Sequence, residues 1–135
     1  MLKLIIGKKG SGKTKTLIDM VNGALNNTNG SVVCIEKGDK LKFDIRYQCR
    51  LIDTEEYRIT DGQALYGFIA CILASNHDVT DLFIDSALKI CNNETDSFDY
   101  FLKEMETLLQ GKDVNCTITS SLDVADATDT VKKFL

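Results

Sequence analysis

At 135 residues, 44% of them hydrophobic and 27% charged, the chain suits one globular domain with a real core and leaves little room for two. Its formal charge of -4, from 16 basic and 20 acidic side chains, argues against nucleic acid and anionic membrane as partners, because both recruit clustered positive charge. No basic stripe stands out beyond one glycine-rich loop.

The first apolar run, LKLII (residues 2–6), is short and rich in β-formers, the pattern of a buried parallel strand. It is too short for the core of an export signal and lacks a cleavage-site pattern, so the expected location is cytoplasmic. GKKGSGKT (7–14) follows. Next, KTKTLIDMVNGALNN sets Leu17, Val21, Ala24 and Leu25 at helical spacing, with Ile18 and Met20 beside them, and Gly30 offers a stop. SVVCIE (31–36) reads as a second strand. Residues 38–60 are less regular: CRLID (49–53) suits a short strand, FDIRY suits an edge pairing, and all three arginines, Arg46, Arg50 and Arg58, fall here.

DGQALYGFIACILASN reads as a helix capped by Asp61, with Leu65, Phe68, Ile69 and Ile72 on one face. Ala64, Ala70 and Cys71 make its other face apolar, which predicts cover on both sides. Its apolar stretch, 64–74, is about half of the roughly 20 residues that a membrane helix needs. DLFIDSALKI (81–90) begins as a strand. SFDYFLKEMETLLQGKD is the clearest helix, with Phe98, Phe101, Leu102, Met105, Leu108 and Leu109 in register, a cap from Asp96 or Ser97, and Gly111 at the end. VNCTITSS (114–121) is another strand, and DATDTVKKFL closes the chain as a short helix. Strands alternating with helices predict an α/β fold with a mainly parallel sheet of four to five strands, in a single domain over residues 1–135.

The five cysteines, Cys34, Cys49, Cys71, Cys91 and Cys116, form no CxxC pair and read as reduced, buried thiols. His77, the only histidine, lies in a loop without partners for a triad or a zinc site.

The chemistry is concentrated at residues 7–14. Gly7, Gly12, Lys13 and Thr14 meet the pattern G-x-x-x-x-G-K-[ST] between a strand and a helix, the context that gives this pattern meaning. The glycines let successive N–H groups turn inward onto phosphate oxygens, and the helix behind adds its positive end. Lys8, Lys9, Gly10, Ser11 and Lys15 complete the cradle. Lys13 would reach the β- and γ-phosphates, and the Thr14 hydroxyl would ligate Mg²⁺. An acidic residue closing an apolar strand should assist with the metal, and Asp85 at the end of DLFID fills that place.

These two segments resemble the Walker A and Walker B motifs of the P-loop NTPases. The GTPases are the poorest match: no glycine stands two residues after Asp85, and SSLD (120–123) replaces the guanine motif. Nucleotide kinases would carry an arginine-rich lid, and thymidine kinases a glutamate after Walker B and a cysteine zinc ribbon. The order of elements is most similar to the RecA-like (ASCE) ATPases in a minimal form without the final strand. That resemblance implies a catalytic carboxylate at the end of the second strand, where Glu36 stands, and a polar γ-phosphate sensor at Thr119 or Ser120. The segments VCIEKGDKL and ALYGFIACILASN also resemble a small stand-alone P-loop family of Gram-positive anaerobes whose members carry ATP-binding or twitching-motility (PilT-like) labels. The motility label finds no support, because the chain has no room for that class's sensory domain and histidine motifs.

The resemblance implies ATP and Mg²⁺ as cofactors and an ATP–Mg²⁺ binding protein with weak or partner-stimulated hydrolysis, self-association or a protein partner supplying the stimulus. Two alternatives stay open. Ser86, in place of a glutamate after Asp85, suits a nucleotide-gated binding module without turnover. Residues 38–60 offer an acceptor site for a small-metabolite or nucleotide kinase.

Overall fold

The computed structural model describes residues 1–135. Five strands, β1 (Leu2–Gly7), β2 (Ser31–Glu36), β3 (Arg50–Asp53), β4 (Val79–Ile84) and β5 (Asn115–Ser121), form one sheet in the order β1-β5-β4-β2-β3. Every neighbouring pair is parallel. The helices are α1 (Lys13–Asn27), α2 (Gly62–Ser75), α3 (Ala87–Ile90), α4 (Thr95–Leu109) and α5 (Asp129–Lys132).

Strand side chains alternate between two cores, as a period of two requires. Val33, Ile35, Leu82, Ile84, Cys116 and Ile118 face the larger core, built with α2 to α5, where Phe98, Phe101 and Met105 are fully buried. Val32, Cys34 and Phe83 face a smaller core with Leu17 and Val21 of α1. The result is a three-layer α/β fold.

No strand lies beyond β1, so the sheet ends there. The closing segment covers that edge: the Leu4 N–H donates to the Phe134 carbonyl at 2.9 Å, and the Leu122 N–H donates to the Gly7 carbonyl at 3.0 Å.

Several local expectations are corrected. FDIRY forms no edge strand; residues 40–48 make successive turns. Leu41, Ile45 and Cys49 of this segment insert into the smaller core, while Phe43 and Tyr47 face solvent at 89% and 92% exposure. Spacing of two and four mixes the periods of strand and helix, and the tertiary anchors decide. Asn22 and Asn26 of α1 hold the segment: Asn22 Nδ2 donates to the Asp44 carbonyl, Asn22 Oδ1 accepts the Arg46 N–H, and Arg46 Nη1 donates to Asn26 Oδ1.

Gly30 does not stop α1, which ends at Asn27. It lies where a methyl group would strike the Asp78 carbonyl and the Thr80 side chain. Neither Asp96 nor Ser97 caps α4; the position before it is Glu94, without a side-chain cap. Ser97 Oγ instead accepts the Gly62 N–H at 2.7 Å, joining α4 to the start of α2. Asp61 does cap α2, accepting the Ala64 N–H at 2.7 Å. The second apolar face of α2 is not covered, since Ala64 and Cys71 are exposed. The other four cysteines are buried, and burial pushes the thiols of Cys49 and Cys91 up to about 11 and that of Cys116 up to about 12. No helix is long and apolar enough to cross a membrane.

Candidate functional site

The parallel sheet gathers its carboxyl ends on one side, and the chain reverses its order there. β1 is followed by β2, three places across the sheet, while β4 and β5 fill the gap later. Crevices form at such points in open α/β sheets. The register aligns one row of residues across this rim. Ile35 pairs with Ile84 and Ile84 with Ile118, so Glu36, Asp85 and Thr119, each one residue on, lie side by side.

The glycine-rich loop crosses the rim from β1 to α1. Gly10 and Gly12 take φ values of 85° and 87°, a left-handed backbone that costs other residues about 1–2 kcal/mol. Gly7 leaves room for Ser11, whose Oγ would be 2.6 Å from an added methyl. Lys13 is buried despite its charge. Its ammonium is folded into the loop, donating to the Lys8 carbonyl at 2.9 Å and Ser11 Oγ at 3.2 Å. A buried cation needs such partners.

Asp85, also buried, collects three hydroxyls. Thr14 Oγ1 donates to its Oδ1 at 3.3 Å and Thr119 Oγ1 to the same atom at 2.8 Å, while Ser86 Oγ donates to Oδ2 at 3.3 Å. The loop and the end of β4 are therefore in contact across β5. Thr119 Oγ1 also accepts the Ser86 N–H at 3.0 Å. Its hydroxyl is thus committed behind Asp85, and the side chain of β5 that lines the crevice is Ser121.

Glu36 is 3% exposed, and both of its carboxylate oxygens are engaged. Oε1 accepts the Lys40 N–H at 3.1 Å and Oε2 accepts the Leu41 N–H at 3.2 Å. Desolvation raises its pKa; the two N–H groups work against that rise, and the neighbouring Asp85 and Asp53 add to it. Glu36 opens on a small cavity of about 190 Å³ with Asp39, Asp53 and Tyr57, beside the main crevice.

The main crevice has a volume of about 560 Å³, within the range of small-molecule sites. Five lysines line it, Lys9, Lys13, Lys15, Lys40 and Lys89, against one carboxylate, Asp85. In a chain with a net charge of -4, this is a local reversal of sign. Sequence reasoning found the loop and Asp85. It missed Lys40, Lys89, Asn93 and Ser121, which no local pattern marks. None of the three arginines lines the crevice. A larger hollow of about 680 Å³ lies at the opposite end of the strands, between α1 and Lys3, Asp81 and Thr117. It holds no comparable set of cations.

For a metal, no group of three His, Cys, Asp or Glu side chains exists anywhere in the structure. One hydroxyl and one carboxylate in contact, Thr14 and Asp85, suit Mg²⁺, which prefers oxygen, keeps several waters and completes its shell with substrate phosphates.

The parallel five-stranded sheet, with its rim at the carboxyl ends of the strands, defines a three-layer α/β fold. Among solved structures, the chain is similar to the flagellar accessory protein FlaH from Methanocaldococcus jannaschii, with a TM-score of 0.64 over 98% of this chain at 14% identity. It spans 65% of the length of that FlaH chain. At this identity the likeness is one of fold. No protein-family model matches the sequence, and no curated protein matches it.

Proposed function

We propose that the crevice binds ATP with Mg²⁺ and that the protein hydrolyses the nucleotide slowly. The observation that carries this reading is the contact between Thr14, at the mouth of the glycine-rich loop, and Asp85, at the end of β4, in a crevice lined by five lysines. The N–H groups of residues 8–14 and the Lys13 ammonium would cradle the β- and γ-phosphates, exchanging the Lys8 and Ser11 contacts for stronger charge-assisted ones. Thr14 and Asp85 would hold Mg²⁺, which when bound neutralises charge on the phosphates. Adenine is preferred over guanine because the guanine motif is absent. Lys9 and Lys15 raise the local concentration of anionic ligand.

Slow turnover follows from the carboxylates available. The residue after Asp85 is Ser86, so no carboxylate flanks the metal ligand. Glu36 stands in the same row. Each of its oxygens keeps a lone pair free after accepting one N–H, which leaves capacity to order an attacking water. The test is phosphate release from ATP and Mg²⁺ over a series of protein concentrations. The parent should release phosphate faster than Lys13→Ala, and a rate rising more steeply than concentration would indicate self-assembly. Equal rates in both proteins would remove the crevice as the site of turnover. The alternative of a nucleotide-gated module is favoured by the engagement of both Glu36 oxygens, and it predicts tight ATP binding with no release.

A further inference from the structure

Two of the crevice lysines stand on segments that buried polar side chains hold in place. The Glu36 carboxylate takes the N–H groups of Lys40 and Leu41, fixing the backbone that carries the Lys40 side chain. On the other side, Thr119 Oγ1 takes the Ser86 N–H and Ser120 Oγ takes the Leu88 N–H at 3.2 Å, fixing the short helix that carries Lys89. Glu36, Thr119 and Ser120 are 3%, 1% and 0% exposed. Three buried polar groups near the carboxyl ends of two strands, β2 and β5, thus serve two segments with one cation each.

Neither cation has a partner of its own. The chain's ion pairs are Lys8 with Asp123, Lys42 with Asp39 and Lys133 with Glu106, so Lys40 and Lys89 are free. The surplus is also visible as charge. Lys9, Lys13 and Lys15 against Asp85 leave two positive charges on the loop side. ATP carrying one Mg²⁺ brings about two negative charges, so that side is balanced once the nucleotide binds. Lys40 and Lys89 then remain, two positive charges in the same crevice. A phosphate monoester carries about -1.5 to -2 at neutral pH and matches them.

Building on the nucleotide reading above, we propose that Lys40 and Lys89 form a second anion subsite that takes the phosphate group of a small phosphorylated acceptor while ATP occupies the glycine-rich loop. This makes the protein a phosphotransferase whose slow hydrolysis is transfer to water in the acceptor's absence. In the transfer, an acceptor oxygen forms a bond to the γ-phosphorus, the bond from that phosphorus to the β–γ bridging oxygen breaks, ADP leaves, and the acceptor's proton passes to solvent. Glu36 is here a positioning residue, acting through the Lys40 backbone.

The test uses the full chain saturated with a non-hydrolysable ATP analogue and Mg²⁺, titrated with inorganic phosphate as the probe in a calorimeter. The expected result is one saturable phosphate site in the parent, weakened about tenfold or more in Lys40→Ala and in Lys89→Ala, with the analogue's affinity falling far less in either variant than in Lys13→Ala. Lys40→Arg should retain the site. Phosphate binding that is absent, or insensitive to both substitutions, overturns the proposal, as does a loss of analogue affinity in Lys40→Ala equal to that in Lys13→Ala. If the analogue itself fails to bind, the nucleotide reading is lost. Phosphate is then titrated into the protein alone: binding that needs Lys40 and Lys89 but not Lys13 upholds the subsite, and any other pattern sinks it.

Discussion

Glu36 shows how one side chain can carry a function that its type does not announce. Its position at a strand end is visible in the sequence, and so is the resemblance that suggests catalysis. What the sequence hides is that both oxygens accept backbone N–H groups from four and five residues ahead. The raised pKa has a consequence for stability. Because the folded value lies above the ordinary 4.5, the native state holds this proton more tightly than the unfolded chain. The stability it contributes is full below about 4.5 and is lost as pH rises through the folded pKa. Glu36→Gln should therefore flatten the decline in unfolding free energy over that window, read from urea titrations at several pH values. Identical slopes in the two proteins would mean that Glu36 is not the titrating group. Lys13 differs in legibility, since its role follows from spacing within eight residues and so can be read directly. Lys40 and Lys89 could not be found this way, because what brings them together is the register of β2, β4 and β5.

At the scale of elements, the strands and long helices were legible because their apolar periods are strong and local. α4 buries Phe98, Phe101, Leu102, Met105 and Leu109, five of the six positions that its pattern names, while the sixth, Leu108, is only partly buried. Residues 38–49 were not legible, since their structure depends on anchors in α1 and β2 rather than on their own period. The join between α2 and α4 was also hidden. Gly62 packs so closely on α4 that a methyl group would strike the Ser97 carbonyl oxygen and lie 3.1 Å from Phe101 Cβ. Its N–H already donates to Ser97 Oγ there. Gly62→Ala would raise helix propensity, yet overpacking should dominate and cost about 1–3 kcal/mol in denaturant unfolding. A neutral or stabilising effect would show that the two helices can separate freely.

Across the whole molecule, the sheet order places the glycine-rich loop, Asp85 and Glu36 on one rim, and the charge distribution opposes the net charge there. An acidic protein with a cationic crevice should bind a polyanion locally while repelling it elsewhere. Nucleotide affinity should therefore weaken with added salt. The central claim is that this crevice holds ATP with Mg²⁺ through Lys13. The most direct measurement is calorimetric titration of ATP, with and without Mg²⁺, into the parent chain and Lys13→Ala. The account predicts saturable binding in the parent that tightens with Mg²⁺ and falls about 100-fold or more in the variant, the scale of two charge-assisted hydrogen bonds. Absence of binding in the parent, or the same affinity in both proteins, would contradict it.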